Sequence, residues 1–158
     1  MNIFLKYLIT FLLGMCPIIE IRGAIPVGVG LGLSYFESFV VGFIGNIIPI
    51  YFIVKYAGPI FEVLGKIKLF KKIINFATEK ATKKIEENPR LQTFTALGLY
   101  LFVAVPLPGT GIWIGSLIAN FLHVPPKKAI PPLILGVLTA GAIILIATGS
   151  VVTVFQHI

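Results

Sequence analysis

The stretch "EIRGAIPVGVGLG", residues 20–32, sets a carboxylate, a guanidinium, a proline and four glycines into a run that is otherwise apolar. What those two charges are doing there decides the fold. In water they would need no reason, whereas in a hydrocarbon layer each costs about 2.5–3.5 kcal/mol on insertion scales and is kept for a purpose.

The surroundings favour the hydrocarbon layer. Of 158 residues, 57% are hydrophobic and 12% charged, and the mean hydropathy is +0.99, far from the balance of a soluble domain. The chain reads as an all-α integral membrane protein. A single cysteine, Cys16, excludes a disulfide framework, and His123 and His157 stand alone. No grouping has metal-ligand spacing, a nucleophile beside a base or a phosphate-cradling loop. The expectation is therefore no enzyme, no cofactor and no metal. The first residues, "MNIFLKYLITFLLGMCP", lack a small-residue cleavage site and read as retained rather than as a signal peptide.

The charge of +7 is localised. Lys66, Lys68, Lys71, Lys72, Lys80, Lys83, Lys84 and Arg90 fall in one linker, and Lys127 and Lys128 form the other pair. Clusters beside apolar segments are the mark of cytoplasmic loops, so nucleic acid is not an expected partner. Phe61, Leu64, Ile67, Phe70, Ile74, Ala77, Ala81 and Ile85 recur at spacings of three and four. The linker is thus expected to be a basic amphipathic helix on the inner membrane surface, in contact with membrane lipids.

Apolar segments run over residues 3–19, 24–33, 38–57, 91–105, 111–122 and 129–155. A helix rises about 1.5 Å per residue and needs about 20 residues to cross, so 38–57 and 129–155 can span while 24–33 and 111–122 reach about halfway. Each short segment is expected to return to the side its predecessor came from, as a re-entrant hairpin with a tip at mid-membrane. The alternative is a solvated turn between two full spans. Shifted by 83 residues, the chain meets itself at Thr10–Phe11, Gly28, Gly32, Pro49 and Ala57–Gly58. That suggests two repeats, about 1–58 and 91–158, joined by the linker at about 59–90 in a single membrane domain. Each repeat has an odd number of crossings, so the second is inverted. Both basic loops then lie inside, as in a multi-pass plasma-membrane protein.

The expected centre is where the tips meet. The first carries Glu20, Arg22 and Gly23, with Pro26 in the arm that follows. The second, "VPLPGTG", carries Pro106, Pro108, Gly109, Thr110 and Gly111, with Trp113 just beyond. Glu20 and Arg22 are close enough in sequence to pair, Glu20 is a candidate proton carrier, and Thr110 is a candidate N-cap. Helix N-termini near Ala24 and Gly111 would offer N–H groups to an anion. Asn46 and Asn120 suit interhelical hydrogen bonds.

"EIRGAIP" followed by "PLPGTG" across a basic linker resembles the small multidrug export proteins over nearly the whole chain. More distantly, the hairpin-plus-span plan resembles the DedA, or VTT-domain, membrane proteins, although Ala104, Val105 and Leu107 replace their arginine-bearing second tip. The resemblance implies a transporter, driven by protons, that exports small amphipathic compounds. The alternatives are a flippase or scramblase for lipids or lipid phosphates, with Arg22 and the helix ends clamping an anionic headgroup, and a non-transporting scaffold. In the last case Gly-x-x-x-Gly faces would only pack helices or form a homodimer.

Overall fold

The computed structural model describes residues 1–65, 89–107 and 110–156. Among the described residues six helices follow one another: α1 (Ile3–Met15), α2 (Glu20–Gly30), α3 (Tyr35–Gly65), α4 (Pro89–Ala104), α5 (Ile112–Phe121) and α6 (Pro126–Gln156). Among the described residues there is no strand, and the all-helical expectation holds. The expected amphipathic linker helix, residues 66–88 in its central part, and Pro108 and Gly109 lie outside the described residues. Of the linker's expected edges, α3 runs on to Gly65 and α4 starts at Pro89.

Local chemistry sets the helix ends. Asn2 caps α1 by accepting from the Phe4 N–H, 3.3 Å, and Pro17 stops it by disfavouring the helical conformation at Cys16. The start of α3 is a capping box. The Ser34 backbone N–H donates to Glu37 at 2.8 Å while the Glu37 N–H donates to the Ser34 hydroxyl at 3.2 Å. The hydroxyl of Tyr7 on α1 donates to the same carboxylate.

Length divides the helices into two classes. At 31 residues, α3 and α6 are each about 46 Å long, and each contains an apolar stretch long enough to cross a membrane, Tyr35–Tyr56 and Pro126–Thr153. With 13, 11, 16 and 10 residues, α1, α2, α4 and α5 are about 15–24 Å long and fall short of a core of about 30 Å. Large apolar side chains face outward: Phe36 is 74% exposed, Ile146 71% and Phe4 67%. Such a perimeter suits lipid, not water.

Packing exchanges partners between halves. Helix α1 lies along α3 and α4 along α6, whereas α2 touches both long helices and α5 packs mainly on α3. Ile21, Ala24 and Ile25 of α2 are buried at the centre with Ile112 of α5 and Leu133 and Val137 of α6. Element ends recur 91 residues apart: Tyr35 and Pro126 open the long helices, and Gly30 and Phe121 close α2 and α5. The glycines that match at an offset of 83 occupy different places in their helices. Gly28 sits near the end of α2 and Gly32 beyond it, whereas Gly111 and Gly115 lie at the start of α5. Gly28 leaves room for Ser38 and its match Gly111 for Glu20, whereas Gly32 is the left-handed residue ending α2, φ 84°, and its match Gly115 leaves room for Val103.

Helices α1 and α3 meet backbone to backbone. A Cβ on Gly14 would stand 2.5 Å from the Gly42 carbonyl oxygen, which is closer than real Cβ atoms come. Gly14→Ala is therefore expected to push α1 off α3 and destabilise the protein by about 1–3 kcal/mol. Gly98, with open space around it, is the control: Gly98→Ala should be neutral or slightly stabilising through helix propensity. Thermal unfolding of the purified protein in detergent checks both.

Candidate functional site

Glu20 opens α2 with φ 53°, in the left-handed region, an unusual conformation for a residue with a Cβ and one that costs of order 1 kcal/mol or more. Its side chain is 6% exposed. The reason lies across the interface, where the Trp113 backbone N–H in the first turn of α5 donates to Glu20 Oε1 at 3.3 Å. The carboxylate thus caps a helix from the other half of the chain, sitting where the unpaired N–H groups and positive dipole end favour an anion. Gly111 leaves room for it, since a Cβ there would collide with both carboxylate oxygens.

Arg22, two residues further on and half-buried, reaches the same junction from another angle. Its Nη1 donates to the Leu107 carbonyl, and its Nη2 donates to the Thr110 carbonyl, to Thr110 Oγ1 at 3.0 Å and to the Val105 carbonyl at 3.3 Å. Pro106 sits at the centre of a tight loop in which the Leu107 N–H donates to the Val105 carbonyl at 2.8 Å. The Thr110 hydroxyl lies 2.8 Å from both the Val105 and Leu107 carbonyls.

Two expectations are corrected here. The N-cap of α5 is Gly111, without a side-chain cap of its own, because the Thr110 hydroxyl folds back into the turn and Glu20 takes the capping role from outside. The helix end expected near Ala24 lies at Glu20 itself. Nor do Glu20 and Arg22 spend their hydrogen bonds on each other: each takes its partners from the second half.

Most of the remaining expected residues gather nearby. The Trp113 indole N–H donates to the Met15 carbonyl at 3.1 Å, tying α5 to the end of α1. Gly23 faces Ile19 within the same turn. Pro26 has no N–H, so the Arg22 backbone carbonyl lacks its helical donor. A cavity of about 280 Å³ opens on Pro17, Glu20, Arg22, Pro106, Gly111 and Ile144. Asn120 donates to the Val54 carbonyl at 2.9 Å, the interhelical bond its type suggested. Asn46, 1% exposed, finds no protein partner for either amide atom, and neither does buried Ser116.

The family described as "Putative small multi-drug export protein" matches residues 20–143. The chain belongs to that family. The match begins at Glu20 and takes in both halves of the charged junction of this family member. No curated protein and no solved structure matches the chain.

Trp113 is the one tryptophan and reports on this junction. Gly111→Ala should drive the Glu20 carboxylate from the α5 N-terminus, loosen the Trp113 contacts and shift its emission to longer wavelength. Gly98→Ala, remote from any side chain, should leave the spectrum unchanged. Fluorescence of the two purified variants decides it.

Proposed function

We propose that the protein is a proton-driven exporter of small amphipathic compounds, working at the junction of α2 with the α4–α5 turn. In this reading α1–α2 and α4–α5 are re-entrant hairpins with mid-membrane tips, α3 and α6 are the spans of an inverted repeat, and the basic linker is cytoplasmic in the plasma membrane. The half-depth lengths of α1, α2 and α5 support it, as does the 91-residue recurrence of helix ends. The family supports export. One observation carries the reading: the two charges of α2 are solvated by backbone groups of the other half, where a change of protonation alters how the halves hold together.

The coupling step follows from that geometry. An ionised Glu20 accepts from the α5 N-terminus. Once protonated it forfeits the charge-assisted bond and its attraction to the helix dipole, together worth about 1–3 kcal/mol. A change of that size shifts an equilibrium between closed and open junctions by about 5- to 150-fold. Proton binding on one side of the membrane and release on the other can thus drive alternating access around the tips.

Two experiments bear on this. In liposomes with an imposed pH gradient, Glu20→Gln should keep its place in the membrane and lose gradient-driven substrate movement, because the amide preserves shape without titrating. Gradient dependence equal to the unaltered chain would exclude Glu20 as the proton carrier. In a Cys16→Ser background, cysteines replacing Asn2 and Phe36 should react with a membrane-impermeant thiol reagent from outside, and one replacing Lys127 only after the cell is opened. Labelling of the positions at 2 and 36 from opposite sides would exclude the first re-entrant hairpin.

A further inference from the structure

The turn that holds Arg22 is a cation site. Three carbonyl oxygens, from Val105, Leu107 and Thr110, and the Thr110 hydroxyl converge on one guanidinium, and Glu20 lines the same cavity. The carbonyls placed there repel an anion, and the Thr110 hydroxyl gives its proton to the Val105 or Leu107 carbonyl. A phosphate brought to Arg22 would meet these carbonyls and the Glu20 carboxylate, so the geometry disfavours the anionic headgroup that Arg22 suggests in the sequence. The chain fills the cup with its own positive group, tethered to α2.

A second cavity continues from the first. About 530 Å³ in volume, it runs between α2 and α6 along Pro26, Val29, Ala147, Thr148, Val151 and Val152. Arg22 and Ile144 line both cavities. An oxygen-lined cup thus opens into a groove walled almost entirely by apolar side chains, the combination that orients an amphiphile by its head and accepts its tail.

We infer that the exported compound is an amphipathic cation whose guanidinium or ammonium head takes the place of Arg22 among the Val105, Leu107 and Thr110 oxygens while its tail lies in the α2–α6 groove. This rests on the transporter reading and names its substrate class. Arg22 is then a tethered competitor. It closes the cup when no substrate is present and leaves when one arrives, and Glu20 supplies the counter-charge that a displaced arginine and an incoming cation share.

Emptying the cup tests this without any transport assay. Arg22→Ala should unfold at a lower temperature than the unaltered protein in detergent. Millimolar butylguanidinium should restore it by about 3–6 °C at a tenfold excess over its Kd, should do so better than ethylguanidinium because of the groove, and should barely move the unaltered protein, whose own arginine competes. Adding Thr148→Trp to fill the groove should remove the advantage of butyl over ethyl and keep the rescue itself. Butylphosphate should rescue nothing.

Rescue by butylphosphate as strong as by butylguanidinium, or no rescue of Arg22→Ala and of Arg22→Gln, would overturn the inference. Should neither variant fold, the unaltered chain is titrated through Trp113 emission up to concentrations of butylguanidinium that outcompete its own arginine: a saturable response there, and none to butylphosphate, supports the site, and its absence rejects it. Rescue with no proton-driven movement in liposomes would leave the cation site standing and overturn the transporter reading. Proton-driven movement without rescue would do the reverse.

Discussion

A carboxylate and a guanidinium set where water is scarce must be solvated by something, and here the backbone of the opposite half of the chain does it. Glu20 replaces water with the N–H groups at the start of α5, and Arg22 with the carbonyls of the turn before it. The helix break in the second half is what frees these groups, since an unbroken helix pairs its own N–H and C=O groups internally. The charges of α2 and the break between α4 and α5 therefore require each other: without the break the charges would be unsolvated, and without the charges the break would leave bare backbone in an apolar setting. Ile21, Ala24 and Ile25, buried around this exchange, place α2 against both long helices.

Much of this was legible in the sequence. Composition and run lengths sufficed for an all-helical membrane protein with spans around 38–57 and 129–155, because length against bilayer thickness is a one-dimensional constraint. The tip residues Glu20, Arg22, Pro106, Thr110 and Gly111 stood out as polar or helix-breaking groups in apolar runs. Their partners did not. Adjacency in the chain made Glu20 and Arg22 look like a pair, yet the side chains leave the start of α2 in different directions, and no pattern of residue types reveals that a carboxylate will cap a helix 90 residues away. The 83-residue match is ambiguous for a related reason: glycines match by identity whether they end a helix in the left-handed region, as Gly32 does, or clear space for a neighbouring side chain, as its match Gly115 does.

Other features left a signal that went unread. "VGFIG", residues 41–45, has small residues three apart, and in the fold Gly45 admits the backbone of α1 at Phe11 while Gly42 admits the Ala24 side chain of α2. "SYFE", residues 34–37, is a capping box, and Tyr7 completes it from α1. Neither is chemistry at the junction. Both fix α1 and α3 as a rigid pair against which α2 is held, which matters for a site whose oxygens must be placed to a few tenths of an ångström.

The spacing of Glu20 and Arg22 has an electrical consequence. Two positions apart in the first turn of one short helix, they move as a unit whenever α2 moves as a body. The pair carries no net charge while Glu20 is ionised, so such a movement shifts no net charge against a membrane potential; a proton on Glu20 leaves the charge of Arg22 uncompensated, and the same movement then carries one positive charge.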